Sequence, residues 1–212
     1  MRTIRSLALV LAFCSISLSS NAEFFGALPA TSGGTDWQAY YDDQLDITWT
    51  ANANINDFTA WNNQVGWAAG LEINGVDGWR LASMDVDGDG TVINCATVGT
   101  VQAACADSEY GHLFFYGAGT TMGSGVTSGS PSPFTAVNDA SYFSGTEDGA
   151  SRAWAFRFTD GGFGGIGKSQ FSLAWAVHDG DVGTVPEPAH ALLLVTGAFV
   201  LLAVRRGRVR AA

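Results

Sequence analysis

Two alternating runs late in the chain constrain its fold more than any other feature. Trp154, Phe156 and Phe158 alternate with Ala155 and Arg157, and Phe171, Leu173, Trp175 and Val177 repeat the pattern. A period of two sends successive side chains to opposite faces of a strand, so each run predicts a strand with one buried face. DGGFGG, from Asp160 to Gly165, can turn the chain between them, and an antiparallel hairpin with an aromatic face is expected. The 7 tryptophans lie largely at such core spacings and are mostly assigned to the interior.

Upstream the pattern is mixed. YYDDQLDITW, Tyr40 to Trp49, reads as a turn leading into a strand with Leu45, Ile47 and Trp49 on one side. Asp57 offers an N-cap for a helix whose Trp61, Val65, Ala68 and Leu71 fall at helical spacing, and Asn74-Gly75 ends that unit. DSEYGHLFFY, from Asp107, predicts a second, shorter helix, and the Gly/Ser/Thr-rich stretch from Gly117 to Pro133 reads as exposed loop. The expected class is α+β: short antiparallel strands, two helices and long loops.

Both ends carry addresses. Arg2 and Arg5 precede an apolar run from Leu7 to Leu18, and Ser20-Asn21-Ala22 supplies the small residues of a cleavage site. Residues 1–22 are therefore expected to be a signal peptide, leaving a body of 23–184. At the other end, residues 185–212 hold Pro186, Glu187 and Pro188, then the uncharged run Ala189 to Val204, then Arg205, Arg206, Arg208 and Arg210. As a helix that run measures about 24 Å at roughly 1.5 Å per residue. It falls short of a hydrocarbon core of about 30 Å unless arginines reach toward the headgroups. The arginines suit an end held on the cytoplasmic side, and the prolines hold an extended segment just ahead of the helix.

Of the 20 acidic residues only Glu187 lies outside the body, and of the 10 basic ones only Arg80, Arg152, Arg157 and Lys168 lie inside, a formal charge of −15. Such a surface repels nucleic acid and anionic lipid and suits divalent cations or neutral and cationic ligands. Removing the leader, which contains Cys14, leaves Cys95 and Cys105 of the 3 cysteines. In an oxidising compartment these are expected to form a disulfide closing a short loop.

The sharpest chemical motif is DVDGDGTVINCA, Asp85 to Ala96. Asp85, Asp87 and Asp89 alternate, Gly90 sits where a calcium loop turns tightly, and Thr91 can lend a carbonyl. The twelfth position is alanine rather than a bidentate glutamate, so a full EF-hand loop is absent. Asp107 and Glu109, drawn near by the disulfide, are candidates for the missing oxygens of a weak calcium site. Enzymatic motifs are lacking: His112 and His178 are the body's histidines, with no nucleophile elbow, zinc-protease motif or phosphate loop. The expectation is a protein that is not an enzyme.

Two resemblances extend this reading. Val185-Pro186-Glu187-Pro188, the apolar run and the arginines together resemble the PEP-CTERM sorting signal of bacterial envelope proteins. That resemblance implies recognition by an exosortase-type protease, transient membrane anchoring through the C-terminal helix, removal of the tail, and delivery to the cell surface or an exopolysaccharide matrix. YYDDQLDITW, WNNQVGWAAGLEINGVDGWRLAS, SYFSGTE, AWAFRFTDG and AWAVHDGD resemble, in order, the motifs of the Lcl C-terminal domain-like family, over residues 37 to 182. The family is similar to C-type-lectin-like folds, and the resemblance implies extracellular adhesion or glycan recognition. Its name-giving adhesin domain binds sulfated glycosaminoglycans; a body at −15 is a poor partner for those, and that specificity is not carried over. Extracellular polysaccharide is the expected partner, with Trp37, Tyr40 and Tyr41 as candidate ligand-binding residues. A structural surface protein without a specific ligand and a secreted glycan-processing enzyme remain the alternatives.

Overall fold

The computed structural model describes residues 23–95, 105–117, 123, 125–126 and 132–184. The expected signal peptide and the sorting tail, with Pro186, Glu187 and Pro188, lie outside these residues. So does most of the predicted 117–133 loop. No helix among the described residues is long and apolar enough to cross a membrane.

Among the described residues, ten short strands make two five-stranded sheets and two helices are interspersed with them: an α+β fold that is mostly β. The first sheet joins β1 (Phe24–Pro29), β2 (Trp37–Asp42), β3 (Ile47–Thr50), β10 (Ala176–Asp179) and β5 (Arg80–Leu81), in that order and antiparallel throughout. The second runs β4 (Thr59–Ala60), β9 (Phe171–Ala174), β6 (Ser141–Glu147), β7 (Arg152–Arg157), β8 (Phe163–Gly167), with β6 and β9 parallel. α1 (Trp61–Ala69) follows β4. α2 (Glu109–His112) continues into a π-helical turn over Leu113–Gly117.

Both alternating runs are strands, but they do not pair with each other. β7 forms its hairpin with β8, because the chain reverses within the first half of DGGFGG: Gly161 adopts φ +75°, Asp160 Oδ1 accepts from Gly162 N at 2.8 Å, and Gly162 O accepts from Arg157 N at 2.7 Å. Phe163 to Gly167 is thereby released to be a strand itself. β9 sits on the far side of β6, and Phe171, expected in the buried face, is 71% exposed.

The later run does something the pattern could not announce. β9 and β10 are separated by Trp175 alone, so one nearly continuous strand leaves the second sheet and enters the first. Trp175 at this crossing is fully buried; its Nε1 donates to Thr50 O at 2.8 Å, and its backbone N donates to Tyr110 Oη at 3.0 Å. Around it pack Trp49, Phe134, Tyr142 and Phe158, with centroids 5.0 to 6.3 Å away. The opposite faces of the same strands carry Ala153, Ala155, Ala174 and Ala176. Small side chains there let α1 lie close and bury Trp61 and Ala68. Both faces of these strands are thus filled, one with aromatic rings and one with alanine and a helix.

The helix boundaries shift from expectation. α1 starts at Trp61, with Ala60 at the cap and no side-chain cap bond. Asp57 instead takes φ +52°, and its carbonyl accepts from Gln64 Nε2, which also donates to Ser172 O, both at 2.8 Å. For α2 the cap is Ser108, whose Oγ accepts from Gly111 N at 3.2 Å. Asp107 is spent elsewhere, on the aspartate loop.

Candidate functional site

The aspartate loop is organised by its own carboxylates. Asp85 Oδ2 accepts from Gly90 N at 3.0 Å, Asp87 Oδ1 from Asp89 N at 3.0 Å, and Asp89 Oδ1 from Thr91 N at 2.6 Å. Gly88 and Gly90 supply positive φ, +73° and +82°, which lets the loop fold back on its aspartates. Asp107 Oδ1 clamps the loop from the other segment by accepting from Val86 N at 2.7 Å and Asp87 N at 3.1 Å. The disulfide between Cys95 and Cys105, Cα atoms 5.2 Å apart, ties these segments together as expected.

One oxygen each from Asp85, Asp87 and Asp89 lies within 4.8 Å of the others. Asp85 Oδ1 is buried without a hydrogen-bond partner. An orphaned buried carboxylate oxygen costs about 1–3 kcal/mol or more, a cost that an ion coordinated there removes. Three convergent carboxylates fit the hard-oxygen chemistry of calcium, with further oxygens needed from carbonyls or water. Asp107 and Glu109 are not in the convergent group. Asp107 serves the loop's backbone, and Glu109 is buried with both oxygens engaged, by Arg80 Nη1 (2.9 Å) and Nη2 (2.6 Å) and by Ser83 N (2.6 Å).

The aromatic candidates divide. Trp37 and Tyr40 line a cleft of about 510 Å³ together with Asp36, Gln38, Asn52, Ile55 and Thr135. Tyr41 lies outside it: its Oη donates to Asp46 Oδ1 at 2.9 Å, and that bond, with lesser help from burial and neighbouring aspartates, pushes the phenol up to about 12.

The tryptophans differ in what their indole N–H already does. Trp61, Trp79 and Trp175 donate to backbone carbonyls of Ser144, Val76 and Thr50 at 2.8–3.0 Å. Trp49 is sealed in the core. Trp37 is half-buried, and no described residue accepts from its Nε1. One face of its ring rests on the backbone of Gly26, where any Cβ would collide with the indole. The ring is therefore held by β1, and its N–H is unclaimed by any described residue. This combination, a seated aromatic with an unspent donor beside amide and hydroxyl side chains, is the usual make-up of a small-ligand site.

Two buried titratable groups flank these sites. Asp42 ends β2, the strand that carries Trp37 and Tyr40, and is fully buried. Burial pushes its carboxyl up to about 6 against the opposing pull of the Gln44 and Leu45 N–H groups and the nearby Trp49 indole. The Trp49 N–H and Asp42 Oδ2 both lack a partner of good geometry, so that pull is weak. His112 ends α2; burial lowers it to about 4, and its ring packs on Tyr116 with centroids 5.4 Å apart.

A second cleft, of about 590 Å³, opens between α1, β5 and the aspartate loop. Of its lining residues only Asp85 belongs to a motif with metal-ligand spacing. Trp61, Trp79, Ser83 and Thr146 carry no motif that marks them as neighbours, since they come together only through the pairing of β5 with β10 and the packing of α1 on β6. No protein-family model matches the chain, and no curated protein matches it.

Proposed function

We propose that this chain is an exported surface or exopolysaccharide-matrix protein whose body is a non-catalytic glycan-binding module of C-type-lectin-like type. The observation that carries the reading is Trp37: an indole seated on Gly26, half-exposed in a cleft with Tyr40, Gln38 and Asn52, its N–H unclaimed by any described residue. Sugars are bound by apolar ring faces stacking on aromatics, with amides and hydroxyls taking the polar edges, and this cleft offers both. The resemblance to the Lcl C-terminal domain-like family supports the same class of function, as does the sorting signal read in residues 185–212. A calcium ion at Asp85, Asp87 and Asp89 belongs to the proposal as a loop stabiliser, supported by the orphaned Asp85 oxygen. Binding without turnover accords with the state of the histidines. His112 is buried, and His178 packs on Trp79 with its Nδ1 2.6 Å from Asp179 O.

The test is binding of the mature protein to the producer's own exopolysaccharide, with calcium and after chelation, alongside an assay for released sugar. Saturable binding without release is the expected result, whether or not chelation weakens it. No binding in either condition would leave a structural surface protein, and sugar release would make it an enzyme. Recovery from the cell exterior of a form truncated near Pro188 is the expected sign of sorting.

A further inference from the structure

The 590 Å³ cleft differs in chemistry from the Trp37 cleft and stands apart from the glycan reading. Its floor is apolar, built from Trp61, Val65, Ala69, Trp79 and Leu81. Its tryptophans present little surface, 8% and 2% exposed, and have spent their N–H groups, so they offer no stacking platform for a sugar. The polar wall is acidic. Arg80 is the one cation among the described lining residues, and its guanidinium is held on two sides, by Glu109 and by Asp179 Oδ1, which takes Nε at 2.9 Å and Nη2 at 2.6 Å. The charged lining residues are Arg80, Asp85 and Asp179, with the buried Glu109 also paired to Arg80, on a body already strongly acidic.

One carboxylate oxygen at this wall has nothing to do: Asp179 Oδ2, on a side chain 78% exposed, takes no hydrogen bond among the described residues. Trp61 already takes an ammonium on its ring: Lys168 Nζ stands 4.4 Å from the centroid.

We infer that this cleft binds a primary alkylammonium group on an apolar stem, the chemistry of a free aliphatic amine or of a lysine side chain. The stem lies on Val65, Ala69 and Leu81, and the ammonium meets Asp179. Neutral alcohols gain only the floor, and carboxylates are repelled by the wall. The volume falls within the range of small-ligand sites, about 300–1,000 Å³, large enough for a lysine side chain with its adjoining backbone.

The test follows the indole N–H resonances of Trp61 and Trp79 in the purified chain, after chelation, during titration with n-butylamine, 1-butanol or n-butyrate. Saturable shifts with n-butylamine alone, shrinking as salt is raised, are expected. Asp179→Asn should weaken binding by roughly three- to fivefold, the size of a single exposed charge pair. Ala69→Phe, which fills the cleft from an exposed helix position, should abolish the shifts while leaving the other indole resonances in place. A Gly-Lys-Gly peptide separates the sources. Binding tighter than n-butylamine indicates a protein side chain, and weaker binding indicates a free amine. Equal response to 1-butanol, no saturable shift with any probe, or unaltered amine binding in a folded Ala69→Phe variant would overturn the inference.

Discussion

The two clefts are each lined by two large aromatics, yet they do opposite things with them. At the β2 cleft Trp37 rests one ring face on Gly26 and keeps its N–H unspent. At the α1–β5 cleft Trp61 and Trp79 are nearly sealed, with N–H groups bonded to Ser144 O and Val76 O. What separates a binding aromatic from a structural one is the remaining capacity of the ring and its donor, and neither sequence position nor proximity to a cavity reveals that. The charges differ as well: the first cleft carries the single carboxylate Asp36, the second the Arg80, Glu109, Asp179 and Asp85 group.

The strongest way to break this comparison is Trp79→Ala. If Trp79 is structural, truncation costs roughly 3–5 kcal/mol of stability in urea denaturation. Polysaccharide affinity per folded molecule should stay unchanged. Loss of affinity without loss of stability would reverse the roles assigned to the clefts.

pH acts on the two supporting elements in opposite senses. Burial favours the neutral form of Asp42 on β2, so its contribution is complete below the ordinary carboxylate value of 3.8 and is lost as pH rises through about 6. His112 on α2 is also held neutral, so its contribution is complete above 6.5 and is lost as pH falls through about 4. Each is on the order of 2–3 kcal/mol, and between pH 4 and 6 they oppose each other. Asp42→Asn should therefore make stability rise with pH across that window, and His112→Gln should make it fall, with the wild type flatter than either. Urea midpoints at pH 4, 5 and 6 check this; parallel slopes in all three proteins would refute the assignment.

How far these features could be read from sequence depends on the range of the interaction. The strands at Trp154 to Phe158 and Leu173 to Val177 declare themselves because side-chain alternation is local. Their partners do not. Pairing β7 with β8 depends on the left-handed Gly161, and the passage of β9 into β10 depends on Trp175 finding Thr50 and Tyr110 far away in sequence. The aspartate loop was legible for the same local reason, since Asp85, Asp87 and Asp89 bond to their own loop. Glu109 was grouped with it by nearness in sequence, whereas its actual partner, Arg80, is 29 residues away. Trp37, Tyr40 and Tyr41 all lie outside the clear core faces; that Tyr40 rather than Tyr41 joins Trp37 at the cleft is not legible from strand alternation, which would put Trp37 and Tyr41 on one face.

Gly26→Val places a side chain where the Trp37 indole rests, and should cost about 1–3 kcal/mol and weaken polysaccharide binding although no ligand-contacting group is removed. Unchanged binding in a folded Gly26→Val protein would mean that the seat is irrelevant. Calcium should raise stability by about 1.4 kcal/mol at ten times its Kd. That rise, read as a shift in thermal midpoint, should vanish in the Asp87→Ala, Asp89→Ala double variant while the Trp37 cleft continues to bind; an equal shift in both proteins would remove the ion from the loop.

The role of Trp37 is decided by one affinity ratio: binding of the mature protein to the producer's exopolysaccharide, wild type against Trp37→Ala, in the same calcium-containing buffer. A binding hot spot worth about 2 kcal/mol predicts a loss of roughly 30-fold with the fold intact. Equal affinities, in two proteins of matching stability, would contradict it.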